Sequence, residues 1–166
     1  MLDPMSLQRR LVEAGIATPN SICGMSDEEI HQVQIRLGLP LPDAYVQFLR
    51  VAGKGAGAFL SDIEIYFPEM LDFRETADEI LADGDEVQLT LPVNALVFSM
   101  RLGGLQFMFF IADGRDSDPP IFSYTMGRAS FEKKADSIWE VLEAELQMSE
   151  VIRRDYPDSP LLGPPE

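Results

Sequence analysis

The side chains available for chemistry in this sequence are almost all carboxylates. His31 is its only histidine and Cys23 its only cysteine. A nucleophile–histidine–acid triad would therefore rest on His31 alone, and the Gly-x-Ser-x-Gly turn that presents a hydrolase serine is absent. One cysteine allows neither an internal disulfide nor a cysteine zinc cluster. Two facing acids suffice for glycoside hydrolysis, so with 28 Asp and Glu in the chain a carboxylate pair stays open as the enzymatic alternative. The acidic run DGRDSD at 113–118 has the look of a calcium loop. Counted from Asp113, however, the sixth position is Asp118 where glycine is needed and the twelfth is Tyr124 where glutamate should close the loop. An exposed turn is the better reading, and no metal is expected.

The glycines of GKGAG at 53–57 raise the question of a phosphate cradle. A Walker loop needs four residues between its first glycine and a Gly-Lys-Ser/Thr, after a strand and before a helix. Here Lys54 is followed by Gly55 and Ala56, and the glycines come after a helical pattern. The dinucleotide spacing Gly-x-Gly-x-x-Gly is missing too. Gly53 is expected to end the preceding helix in a left-handed turn, with Gly55 and Gly57 loosening the loop that follows.

The elements that must position these groups follow from spacing. Ser6 to Ala14 reads as a first helix. Ser26 stands three residues before Glu29, the capping-box spacing, and Ile30, Val33 and Leu37 share a face before Gly38 ends the helix. His31 falls off that stripe and reads as a surface residue. Pro42 suits the first position of a third helix, which buries Tyr45, Phe48, Leu49 and Ala52. DIEIYF at 62–67 alternates as a strand with Glu64 and Tyr66 pointing away from the core. Residues 70–82 return to helical spacing, with Phe73, Ala77, Ile80 and Leu81 inward. Two apolar strands around Gly103-Gly104 predict a hairpin, IFSYT a further strand, and Ser137 with Glu140 the cap of a last helix with Ile138, Trp139, Leu142 and Leu146 inward. Helices first, then hairpins, then a helix, without a βαβ repeat, give an α+β class.

Charge is the strongest bulk property. Thirteen bases against the 28 acids leave −15, a field that repels nucleic acid and draws cationic partners. Ten acids lie within 62–86 (Asp62, Glu64, Glu69, Asp72, Glu75, Asp78, Glu79, Asp83, Asp85 and Glu86) against one base, Arg74. Such a run is either a solvated face or a docking surface. No apolar run reaches the ~18 residues of a membrane span, and the start MLDPMSLQRR lacks the order of a signal peptide, so a cytoplasmic protein is expected.

The series SDEEIHQVQIRLGLPLPDAYVQFLRVAGKGAG, DIEIYFP, LVFSMRLGGLQFMFF, DPPIFSY and SFEKKADSIWEVLEAEL resembles the SUKH superfamily of Smi/Knr-like proteins. Leu41, Pro42, Tyr45, Phe48 and Leu49, and the run from Asp118-Pro119-Pro120 to Tyr124, carry the likeness most specifically. The resemblance implies one α+β domain with a mainly antiparallel sheet packed against helices, no cofactor and no catalytic site. Bacterial members are largely immunity proteins that neutralise toxins, often nucleases, and fungal relatives act as regulators or scaffolds. The expected organisation is a lead-in at 1–25, the SUKH-like domain at 26–154 and a proline-rich tail at 155–166. A basic toxin domain would be met by outward acids. Glu64, Tyr66, Asp72, Glu75 and Glu79 are the first candidate patch if strand edge and helix face adjoin. Asp113, Asp116 and Asp118 are the second. The sequence leaves the oligomeric state open.

Overall fold

The computed structural model describes residues 2–83, 89–157 and 159. Its helices are α1 (Pro4–Glu13), α2 (Asp27–Leu37), α3 (Asp43–Ala52), α4 (Phe73–Ala82) and α5 (Ile138–Asp155). Strands β1 (Ile22–Cys23) and β2 (Gly55–Ala56) form a small pair, and β3 (Ile63–Glu64), β4 (Ala95–Arg101), β5 (Gln106–Ile111), β6 (Ile121–Thr125) and β7 (Glu132–Ala135) form an antiparallel meander in that spatial order. The chain is an α+β domain with a mainly antiparallel sheet, as its pattern predicts.

Local signals explain the helices. The Ser26 hydroxyl accepts from the Glu29 amide while the Glu29 carboxylate accepts from the Ser26 amide at 2.7 Å, and Gly38 closes α2 with φ 65°. In α3 all four predicted inward residues are buried, and Pro42 is the N-cap, one position earlier than expected. Ser137 caps α5 by accepting from the Glu140 amide. The Glu140 carboxylate returns to the Asp136 amide, so the reciprocal box is displaced by one residue.

Three expectations change in the structure. Gly53 is right-handed (φ −61°), so it is no left-handed terminator. Glycine is required there by close approach instead, since a Cβ would lie 2.9 Å from the Met25 Cγ and 2.6 Å from the Leu49 carbonyl oxygen. The positive φ angles belong to Gly55 (147°) and Gly57 (62°), and Gly55 sits in β2, paired with Cys23, so the segment is bonded backbone and not a loosened loop. DIEIYF yields only β3, because the Phe67 amide donates to the Gly53 carbonyl at 2.8 Å and draws the chain off the sheet. Tyr66 is consequently half-buried, not outward, and its hydroxyl donates to the Phe59 carbonyl at 2.6 Å. Finally, four residues, Leu102 to Leu105, join β4 to β5 where a two-glycine turn was expected. Arg101 pairs with Gln106, and Leu102, Gly103 and Gly104 all take positive φ.

Cross-strand partners share a face of the sheet. Phe107, Phe109, Phe122 and Tyr124 therefore lie on one side, with Phe107 and Tyr124 rings 5.1 Å apart and Phe131 5.0 Å from Phe109. On the other, Phe98 and Phe110 stack at 5.5 Å beneath Tyr45 of α3. Alternation from Leu96, the partner of Phe110, puts Phe98 on this second face, and the bulge between Val97 and Ser99 brings Ser99, the partner of Met108, onto it as well. Leu2, Leu7, Leu11, Ile16 and Ala17 from the chain's start belong to the same core cluster. Arg10 of α1 reaches α5, holding both Glu150 oxygens at 2.8 Å and Glu143 at 2.6 Å. Asp85, Glu86 and most of the proline-rich tail lie outside the described residues.

Candidate functional site

The acidic surface is built by α4. Its first residue, Phe73, and then Ala77 and Leu81 are buried. At about 100° per residue, Asp72, Glu75 and Glu79 fall on the side directly away from those three. All three are exposed. Asp72 meets Arg36 at 3.9 Å with both side chains largely in solvent, a contact that water screens. Glu75 and Glu79 have no cation partner among the described residues. Asp78, off this line, pairs with Arg74 at 2.7 Å. Internal basic residues therefore do not neutralise the stripe.

Register then places the remaining acids. Ile63 pairs with Arg101 and Glu64 with Met100, so β3 lies beside the last residues of β4. Glu64 is exposed and shares the face of Met100 and Phe107, while Ile63 is buried on the other. Helix α4 runs along β4. Arg74 donates to the Ala95 carbonyl at 3.1 Å at one end, and Ile80 packs over Gly104 at the other. Glu64 thus stands opposite Met100, two residues before the β4–β5 loop, and Glu79 is one residue from the Ile80 that packs on it.

The 113–118 loop is elsewhere. It follows β5, whose six residues span about 17 Å from the hairpin loop, so it lies at the opposite end of the sheet from Glu64, at the Ala95–Ile111 end where Arg74 of α4 reaches β4. Much of the loop is also spent on the fold. The Ser117 carbonyl accepts from the Ala44 amide at the start of α3 (2.9 Å), and Asp118 accepts from the Ile138 amide at the start of α5 (3.4 Å). Burial holds the Asp118 carboxyl above its ordinary value, against the opposite pull of the Ile138 amide, and Asp116 nearby adds to the rise. Asp116 accepts from the Asp118 amide and Asp113 from the Arg115 amide, both at 3.0 Å. Only Asp113 and Asp116 of this set are exposed.

One feature escapes the sequence pattern. A groove of about 540 Å³ runs between α5 and the segment 58–62, with Val141, Ala144 and Met148 on the helix side. The Arg101 Nη2 stands in it 3.1 Å from Asp62 and 3.3 Å from Glu145. The guanidinium thus fills the space between the two carboxylates that a scissile bond would need. A basic residue closing an otherwise apolar strand is the signal that could have flagged it. Among the described residues no group of three or more His, Cys, Asp and Glu is placed to hold a metal ion. No helix among them is long and apolar enough to cross a membrane.

No curated protein matches the chain. A sequence model of the SMI1 / KNR4 family (SUKH-1) matches residues 24–144. That stretch runs from just before the α2 capping box, through α3, α4 and the whole five-stranded sheet, into α5. With most of its length and its whole principal sheet inside the match, the chain belongs to the SMI1 / KNR4 family (SUKH-1).

Proposed function

We propose that this protein is an immunity-type inhibitor that neutralises a toxin domain by occupying its basic cleft, without cofactor or chemistry of its own. The observation that carries this reading is the outward stripe of α4, where Glu75 and Glu79 have no cation partner among the described residues. A nuclease or other enzyme with an anionic substrate presents a positive cleft, and a rigid acidic face speeds encounter and blocks access. Glu64, Asp72, Glu75 and Glu79 are the contacts proposed. Asp113 and Asp116 are a secondary set, and Tyr66 and Asp118 serve the fold beneath their patches. The site of action is the cytoplasm, where an incoming toxin would meet its target.

The test is co-expression with the toxin encoded beside this gene, which should restore growth. With the purified pair, Glu75→Lys with Glu79→Lys should slow association at least tenfold, and raising salt should slow the wild-type chain likewise. Association unaffected by either change would remove the reading. A regulatory adaptor of the Smi/Knr type is the second reading, favoured by the partly apolar groove of about 540 Å³ beside α5. It predicts a partner whose binding survives the α4 reversals and is lost with Met148→Glu.

A further inference from the structure

In an antiparallel meander the β4–β5 loop and the β6–β7 turn lie at the same end of the sheet. Here they touch, the Met126 amide donating to the Leu105 carbonyl at 2.8 Å. Together they expose three large apolar side chains, Leu102 (72%), Met126 (52%) and Leu105 (43%). Leu102 does so from a left-handed backbone, φ 56°, a conformation that costs a β-carbon residue and that glycine or asparagine would take more easily. Side-chain packing does not offset that cost, since the side chain is in solvent. The loop is nonetheless seated firmly. A Cβ on Gly104 would come within 2.3 Å of the Ile80 Cδ1, so α4 packs directly on its backbone.

We propose that Leu102, Leu105 and Met126 form a preorganised apolar anchor that enters a recess on a cationic protein partner. Lysines and arginines around that recess meet Glu64 and Glu79. The proposal rests on the reading of α4 as the acidic docking face and says where that face is centred. Its layout is that of a protein interface, an apolar centre within a polar rim, and rigidity lowers the ordering cost of association. Arg128, in the same turn as Met126, bounds the acidic field on that side. A second copy of this chain is the wrong occupant, because apposing two such faces would bring like charges from two molecules of net charge −15 together.

The test titrates the full chain with two blocked peptides while following backbone amide shifts by NMR. One peptide is Lys-Lys-Leu-Trp-Leu-Lys-Lys and the other Lys-Lys-Ser-Gly-Ser-Lys-Lys. Both should shift amides of α4. Only the apolar peptide should shift 102–105 and 126, binding at least tenfold tighter, and Leu102→Asn, which keeps the left-handed turn, should cut that difference below threefold. Equal affinity with α4 shifts retained would overturn the anchor and leave the acidic face standing. Absence of α4 shifts with either peptide would sink both. Sedimentation showing a wild-type dimer that Leu102→Asn dissociates would assign the face to self-association instead.

Discussion

Leu102 carries its strain in solvent, so the free protein gains by losing it. Leu102→Asn should raise stability by about 1 kcal/mol, a few degrees in Tm by thermal denaturation. Arg10 makes the opposite kind of contribution. Its hydrogen bonds hold the Glu143 carboxyl below the ordinary carboxylate range, more than burial raises it. A carboxyl depressed in the folded state stabilises at pH above its unfolded value, roughly 4.3, and loses that contribution as pH falls through the lower folded value. Arg10→Met should therefore cost about 1 kcal/mol at pH 7 in urea titrations, and the gap from wild type should close below about pH 4. Asp118 has the reverse sign, because burial raises its carboxyl and penalises the charged form. Asp118→Asn, which can still accept from the Ile138 amide, should be at least as stable as wild type at pH 7. Any advantage should vanish in acid.

At the scale of elements, the tightest approach is between the turn after β1 and α3. A Cβ on Gly24 would sit 1.8 Å from the Arg50 carbonyl oxygen, which no rotamer change can relieve. Gly24→Ala should cost at least about 3 kcal/mol, seen as a large drop in urea midpoint. Elements with strong local signals were legible in the sequence. Helices α2, α3 and α5 announce themselves by caps and by apolar residues at helical spacing, and β4 and β5 by apolar runs. What was not legible has no local signal. β1 and β2 are two residues each and exist only because the Lys54 amide finds the Cys23 carbonyl, a pairing across 31 positions. β7 reads EKKA, an edge strand whose side chains are mostly exposed and do not alternate. Tyr66 followed the alternation on paper, yet a bond from Phe67 to Gly53 turned it inward. The acids of α4 were readable as a helix face. That Glu64 lies close to the hairpin loop, and that 113–118 lies at the other end of the sheet, by the start of α4, needed the register of β3 and β5.

The whole molecule carries −15, so its compact state works against its own repulsion. Screening lengths shrink from about 30 Å to about 8 Å between 0.01 M and physiological ionic strength. Stability should accordingly rise with sodium chloride over that range by calorimetry, while partner association slows, two opposite responses to one variable. The clasp of Arg10 on Glu143 and Glu150 has a consequence for how the protein can be handled. Two of its three members stand outside the stretch 24–144 that the family match covers. Leu7, Leu11 and Ile16, each wholly buried, stand outside it too, and their burial is worth about 5–9 kcal/mol, comparable to the stability of an entire domain. A gene trimmed to the matched region should therefore express as insoluble material, with the intact chain recovered in the soluble fraction under the same induction.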